Sequence, residues 1–229
     1  MKLFKFLVIS LIVICILFYS ALEGQHYYHT HKLSPEKQLS DTNYPKQLHE
    51  VMWVAATETG EMRLDKLSMT SYVYRTYKGM GSATKSPELR LQGSFIAAFL
   101  AQDILSKNQQ EDSSESSLTQ EGAMTVWVTN NYSLDEAMDT LIGKAFVNGD
   151  TATLFFNKPI ESLTLSENLI LGAYFNRPDL REFCGHEPEL AAQAEQLLQQ
   201  LKENFPPGYD AQVFEAPEYS EVLKAKCAS

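Results

Sequence analysis

The sequence predicts a mainly α-helical domain behind one amino-terminal transmembrane helix, and three observations indicate this fold class. An uncharged apolar run from Phe6 to Leu22 follows two lysines at the amino terminus. Apolar residues recur at helical spacing through much of the remaining chain, whereas the alternation typical of strands is sparse. A hydrophobic content of 44% with 21% charged residues is sufficient for a buried core.

The composition limits the class of protein. Its 229 residues suit one compact domain with an appendage, and its formal net charge is −10. An acidic balance of this size argues against a protein that binds nucleic acid or anionic lipid over a wide surface. Three cysteines without a Cys-x-x-Cys pair exclude a zinc finger and a disulfide-dense scaffold. We therefore expect no nucleic-acid partner.

The amino terminus predicts an uncleaved single-pass anchor over residues 1–22. Lys2 and Lys5 precede the apolar run, so the positive-inside rule puts the amino terminus in the cytoplasm. A cleaved signal peptide is the alternative, although Tyr19-Ser20-Ala21 makes a poor small-x-small cleavage site. The expected location is the inner, cytoplasmic membrane, with the body facing the periplasm or the exterior.

Residues 23–45 are predicted to form a juxtamembrane linker. His26, His29 and His31 lie close enough in sequence to suggest a metal site. No cysteine or carboxylate cluster joins them, which favours a mobile stalk over a metal centre. We assign no metal ligand in this segment.

An oxidising compartment would give two cysteines a role. Cys184 and Cys227 are candidates for a disulfide that ties the carboxyl-terminal tail to the body. Two separate buried thiols are the alternative. Cys15 lies within the anchor and has no partner in the soluble part.

Helical signals dominate the body, which is predicted as one domain over residues 46–205 with a tail over 206–229. Apolar or amphipathic helices are expected at Gln47–Glu58, Gly93–Leu105, Leu118–Val128 and Glu187–Phe205. The last of these ends at two consecutive prolines.

Two further helices are expected to begin at capping boxes, in which a Ser or Thr precedes a Glu by three residues. These pairs are Ser133 with Glu136 and Thr164 with Glu167. The second helix is expected to end at Asn176-Arg177-Pro178.

The segments between the helices carry three other predictions. Gly79–Pro87 is expected to be a loop. Ser106–Ser117 is a polar, acidic insert that cannot bury itself, and we expect it to be mobile. Thr151–Phe156 is the best candidate for a strand.

Two carboxylates fall on apolar stripes of predicted helices. Glu58 follows Leu48, Val51 and Ala55 at helical steps, and Glu121 lies three residues before Met124. A carboxylate turned toward apolar surface loses hydration, which raises its pKa and suits proton transfer. The alternative is a Glu at a helix terminus with its head group in water.

These two positions lie within a wider pattern. The stretch YPKQLHEVMWVAATETGEM looks like the first motif of the peptidoglycan glycosyltransferases of glycosyltransferase family 51, the transglycosylase domain of penicillin-binding proteins. Glu58 takes the position of the catalytic Glu, whereas Thr59, Met62 and Asp65 replace the usual Asp, Phe and His.

Three later segments extend the resemblance over most of residues 44–180. GSFIAAFLAQD is similar to the second motif: Gly93 and Ser94 fit it, and Gln102 stands at a Lys position. Counting back from the segment at Ser133 places Glu121 on the Glu of the third motif. FNKPIESLTLSENLILGAYFNRPD resembles the family's Phe-Gly-Lys-Pro segment and the helix after it.

The resemblance implies a lysozyme-like helical fold and specific roles. Glu58 would take the proton from the acceptor sugar hydroxyl, and Glu121 would help to order the donor diphosphate, directly or through Mg²⁺ or Mn²⁺. Gly93, Ser94 and Gln102 would bind substrate. Arg90 is among the basic residues that could replace the family's missing cations, the others being Lys66, Arg75 and Lys85; each is alternatively a solvated surface charge.

Three functions follow as hypotheses. The first is a divergent, membrane-anchored peptidoglycan glycosyltransferase that polymerises the lipid-linked disaccharide-peptide known as lipid II. The second is an inactive relative that binds glycan, the lipid precursor or other cell-wall synthesis proteins. The third is a lytic enzyme that cleaves glycan with Glu58 as general acid.

Overall fold

The computed structural model describes residues 2–56, 61–81, 93–108, 117–146, 150–176 and 184–228. Within these ranges all regular secondary structure is helical, so the predicted mainly helical class is confirmed. The helices are α1 (Lys2–Leu33), α2 (Lys46–Ala55), α3 (Met69–Gly81), α4 (Ser94–Asn108), α5 (Ser117–Asn131), α6 (Leu134–Ala145), α7 (Asp150–Phe156), α8 (Leu165–Asn176), α9 (Glu187–Asn204), α10 (Pro206–Tyr209) and α11 (Glu221–Cys227). A 3₁₀ turn spans Ile160–Ser162.

The chain divides into two compact units, and the predicted domain over residues 46–205 stays a prediction. The first unit comprises residues 1–37 and 64–132, and the second comprises residues 38–63 and 133–229. Each unit has its own buried apolar side chains. Each unit is therefore formed by two separate segments of the chain.

The first unit is formed by α1, α3, α4 and α5. Helix α5 packs against the other three, and α1 also contacts α3. Leu67, Met69 and Val126 form a buried cluster, and Leu22 of α1 packs against it. The carboxyl-terminal part of the anchor helix thus belongs to the core of this unit.

Helix α1 continues to Leu33, so residues 23–33 of the predicted linker are helical. His29, assigned to a mobile stalk, is only 5% exposed. The helix stops before Ser34, which has a positive φ of 43° and precedes a proline that disfavours helical backbone. The histidine-rich segment lacks an apolar stripe, and packing within the first unit holds it helical.

The amino-terminal part of α1 has the properties of a membrane span. Among the described residues, the helix over Phe6–Leu33 is the one that is long and apolar enough to cross a membrane. Its large apolar side chains near the amino terminus are exposed, Phe6 by 68% and Leu17 by 63%. Burial in lipid would remove this surface from water.

The second unit is formed around α2, α6, α8 and α9. Helix α8 packs against α9 and α2, and α2 also contacts α6 and α9. The α2 prediction is confirmed on the side that faces this core, because Leu48, Val51 and Ala55 are fully buried. The helix ends at Ala55, and residues 57–60 lie outside the described residues.

Both predicted capping boxes are present. The Ser133 backbone N–H donates to Glu136 Oε2 at 2.8 Å, and the Glu136 N–H donates to Ser133 Oγ at 3.3 Å. Thr164 and Glu167 exchange the same pair of bonds at 2.8 and 3.4 Å. Each box satisfies backbone donors that the first helical turn leaves unpaired.

The predicted strand at Thr151–Phe156 is wrong, because these residues form helix α7. Asp150 lies in its first turn, where a carboxylate is favourable, and Ala152, Phe155 and Phe156 are buried. Phe155 and Phe156 lie three and four residues after Ala152, a spacing that places all three on one face of a helix. A short apolar run does not distinguish the two structures by periodicity.

The remaining boundaries differ modestly from expectation. Helix α3 covers residues 79–81 of the predicted loop, and residues 82–92 lie outside the described residues. Helix α4 extends into the predicted polar insert as far as Asn108, and residues 109–116 also lie outside. The tail contains α10 and α11, and a disulfide joins Cys184 to Cys227.

Close helix packing in the second unit depends on Gly172 of α8. A Cβ at this position would lie 2.8 Å from Val51 Cγ1 and 3.2 Å from Leu197 Cδ1. Val51 is fully buried and β-branched, so it has little freedom to move.

We predict that Gly172→Ala lowers the free energy of unfolding by about 1–3 kcal/mol through overpacking. Urea unfolding in mild detergent, followed by near-UV circular dichroism, measures the change. Gly208→Ala is the matched control, because a Cβ there meets nothing within 4 Å. Equal stability of the two variants would contradict the packing argument.

Candidate functional site

Glu121 lies on α5 of the first unit and has a neutral hydrogen-bond partner. The side-chain amide of Gln102 on α4 donates to Glu121 Oε1 at 3.3 Å. Glu121 is partly buried, and the residues that follow it on α5, Gly122 to Val126, are buried. Two predicted site residues that are distant in sequence therefore meet in the structure.

Tyr72 of α3 is the third side chain of this group. Burial raises the pKa of Tyr72, and the negative charge of Glu121 raises it further, whereas hydrogen bonds with Thr76 and Thr125 oppose the shift. Tyr72 therefore remains a protonated phenol at neutral pH. It can donate a hydrogen bond beside the carboxylate.

Gly122 is what allows Tyr72 to approach α5 so closely. A Cβ on Gly122 would lie 2.8 Å from Tyr72 Cε1 and 3.2 Å from the Met69 terminal methyl group. The absence of a side chain at Gly122 therefore positions the phenol next to Glu121. Sequence reasoning missed both residues, since neither lies in a recognisable motif.

Helix α1 passes close to this group. Helix α1 packs against α5, and the His26 side chain lies close to the backbone of Ala123, two residues after Glu121. Glu23 Oε1 accepts bonds from the Thr70 backbone N–H at 3.2 Å and the Thr70 hydroxyl at 3.1 Å. A helix rises about 1.5 Å per residue, so His26 lies about 6 Å beyond the end of the apolar run.

Gly93 and Ser94 open helix α4. Gly93 has a φ of 75°, which favours glycine, and its carbonyl accepts the first helical bond from the Ala97 N–H. Ser94 is the first residue of the helix. Their predicted role in substrate binding stays a prediction.

Two of the predicted site residues, Glu58 and Arg90, lie outside the described residues. Among the described residues, no three His, Cys, Asp or Glu side chains gather as metal ligands. Glu121 alone is not a preformed cage, although Mg²⁺ is often held by one carboxylate together with substrate phosphates. A divalent cofactor therefore stays a prediction.

The segment that most resembles the family is organised around Glu167. Its carboxylate is 4% exposed and accepts a bond from Lys158 Nζ at 2.7 Å, besides its bonds with Thr164. Burial acts to raise the pKa of Glu167, but the bonds from Lys158 and Thr164 outweigh burial and hold the pKa below its usual value. Glu167 is thus an ionised structural residue.

We predict that the contribution of Glu167 to the free energy of unfolding decreases at acidic pH. A depressed folded pKa contributes stability above the unfolded pKa, near 4.5, and this contribution disappears as the pH falls through the folded pKa. Glu167→Gln should cost about 1–3 kcal/mol at pH 6.5 and much less at pH 3. Urea unfolding at both pH values measures the difference.

Glu195→Gln on the exposed face of α9 is the matched control for that measurement. It should change stability little at either pH. A Glu167→Gln penalty that is the same at both pH values would show that the charge of Glu167 is not the source of its contribution.

Two comparisons of the sequence with known proteins find no match. A scan of the chain against models of protein families finds no match. A search among curated proteins finds no similar sequence. The family resemblance therefore rests on the motifs in the sequence.

Proposed function

We propose that this protein acts on the lipid-linked disaccharide-peptide precursor of peptidoglycan, as a divergent glycosyltransferase at the membrane surface. The observation that carries the proposal is the position of Glu121. Helix α5, which carries Glu121, packs against α1, and Ala123 lies close to His26, about 6 Å beyond the apolar run of the anchor helix. If that run spans the bilayer, the carboxylate lies near the membrane interface.

A lipid-linked sugar donor requires a site at this depth. Its hydrocarbon tail stays in the bilayer, while the diphosphate and the sugar extend into the interface. A carboxylate next to the anchor helix can meet the head group without extraction of the lipid. Exposed aromatic side chains at the same level, Tyr27 at 70% and Tyr28 at 51%, also suit the interface.

The reaction assigns one role to each carboxylate. The acceptor hydroxyl oxygen bonds to the anomeric carbon of the donor as the bond from that carbon to the diphosphate oxygen breaks. Glu58 takes the hydroxyl proton, and the lipid diphosphate leaves with the bonding electrons. Glu121 orients the donor head group, and the hydrogen bond from the Gln102 amide orients Glu121.

The contact between Gln102 and Glu121 favours a second candidate, an inactive relative that binds precursor or glycan. The departing diphosphate needs fixed positive charge, and losing one preorganised donor costs about 2–4 kcal/mol at the barrier. Gln102 supplies a neutral amide where the family has a Lys. Binding alone does not require that cation.

The disulfide supports the proposed orientation. Structural disulfides persist in oxidising compartments such as the bacterial periplasm. The bond between Cys184 and Cys227 lies in the second unit, which follows the anchor. We therefore propose that the body faces the periplasm or the cell exterior, where the precursor is polymerised.

We predict that the detergent-solubilised protein extends labelled lipid II into chains that gel electrophoresis resolves. Glu58→Gln and Glu121→Gln should each lower the rate by about a hundredfold or more, because each removes a group that acts in the transition state. Glu195→Gln, which changes the same charge on α9, should retain the full rate. Normal polymerisation by Glu58→Gln would make the catalytic assignment wrong.

Gln102→Lys separates the two candidates. A cation next to Glu121 should raise the polymerisation rate by about tenfold or more if leaving-group charge limits the enzyme. Gln102→Met, which has similar length and no charge, is the control and should not raise it. If no variant makes chains while the unmutated protein binds lipid II, the protein is a binding relative.

A further inference from the structure

The second unit contains a cavity that the proposed reaction does not use. Its volume is about 760 Å³, within the size range of small-molecule sites. It is bounded by the start of α2, the first turns of α6 and the end of α9, together with Glu61 and Met62. None of its lining residues belongs to the Glu121 site.

Carboxylates dominate the charge of this cavity. Glu50, Glu61, Asp135 and Asp139 line it, and the cationic side chains among the described lining residues are Lys46 and, when protonated, His49. Lys46 is paired with Glu50 at 3.5 Å, and its side chain is 86% exposed. The cavity is therefore negative in both protonation states of His49.

Asp139 is a carboxylate of this cavity that two hydrogen bonds hold in place. It is 8% exposed, and its Oδ1 accepts bonds from the Tyr44 backbone N–H at 2.9 Å and from His49 Nε2 at 2.8 Å. Within the described part of the chain, its Oδ2 has no hydrogen-bond partner. A carboxylate held rigidly on one side, with a free oxygen on the other, is prepared to accept a donor.

Asp135 adds a second negative charge one helical turn away. It precedes Asp139 by four residues on α6, so the two side chains lie on the same face, and both line the cavity. Like charges at this spacing repel each other, and a cation between them removes the repulsion. Asp135 is exposed at the side of the cavity, whereas Asp139 is buried.

Glu50 is already paired with Lys46 and Tyr209. Asp135 and Asp139 are therefore the carboxylates that a cationic ligand would meet. The Glu50 Oε2 accepts a hydrogen bond from the Tyr209 hydroxyl. Burial raises the pKa of Tyr209, and the bond to Glu50 raises it further, so the phenol remains a donor. Glu50 thus forms a fixed wall of the cavity.

The other walls favour an organic ligand over a bare metal ion. Tyr44, Met62, Leu134 and Phe205 supply aromatic and apolar surface. No three His, Cys, Asp or Glu groups of the described chain converge as ligands for an ion. Aromatic faces and apolar contacts suit a cation that carries a hydrocarbon body.

We propose that this cavity binds an organic ammonium ion, a primary amine on an apolar body, with its ammonium group between Asp139 Oδ2 and Asp135. The hydrocarbon part lies against Tyr44, Met62 and Phe205. The amine donates to the carboxylates without any covalent change. The negative charge of the cavity, its volume and its aromatic and apolar lining together indicate this class of ligand.

The test is isothermal titration of the full chain in detergent micelles with 2-phenylethylammonium. 2-Phenylethanol and phenylacetate, which keep the ring and replace the ammonium group, are the matched ligands. A charge-assisted bond to a buried carboxylate predicts that the ammonium binds at least about tenfold more tightly than either. Titration into protein-free micelles corrects for partition into detergent.

Protein variants locate the binding. Asp139→Asn should raise the Kd of the ammonium by about tenfold, and Asp135→Asn should raise it by about threefold. Glu195→Gln, a charge change outside this cavity, should leave the Kd within about twofold. If Asp139→Asn loses the native circular dichroism spectrum, Asp135→Asn and the ligand comparison decide the question.

Several outcomes would overturn the proposal. Absence of ammonium binding does so, as does equal or tighter binding of the alcohol or the acid. Unchanged affinity in a folded Asp139→Asn protein would place the ligand elsewhere. Full displacement of the ammonium by an equal concentration of Mg²⁺ or Ca²⁺ would make this a metal site instead.

Discussion

The arrangement of the first unit depends on one constraint: the two parts of helix α1 have different surroundings. Over its amino-terminal part it exposes apolar side chains that belong in lipid, and beyond Leu22 it packs against folded protein. Leu22 contributes to the cluster of Leu67, Met69 and Val126, and Glu23 satisfies donors in the first turn of α3. A continuous helix thus connects the apolar run to the packing of α3 and α5.

Two glutamates, Glu167 and Glu121, differ in how fully their carboxylates are bonded to the protein. Glu167 is buried, bonded to a lysine and two groups of one threonine, and therefore held as an ion that supports a helix start. Glu121 is partly exposed and meets a neutral amide and a phenol. The first is fully engaged by the protein, whereas the second retains capacity to interact with a ligand.

Local signals in the sequence predicted much of the fold and less of the site. The capping boxes at Ser133 and Thr164 involve residues three positions apart, so their geometry follows from the helix itself. Helix α7 was misassigned because a short apolar run fits two periodicities until Phe155 and Phe156 are seen to share a buried face. Family resemblance brought Gln102 and Glu121 into one site, but the approach of Tyr72 over Gly122 depends on three-dimensional packing.

Helix α1 contains both the apolar run and a part that packs in the first unit. Cleavage near the amino terminus would therefore affect the core of that unit. A signal peptidase that cut after Ala21 would sever helix α1 between its exposed apolar part and the part that packs against protein. The released protein would begin at Leu22, with a new charged amine beside the Leu67 cluster and beside Glu23. Such a cut would therefore disturb the core of the first unit, whose packing depends on an uncut helix α1.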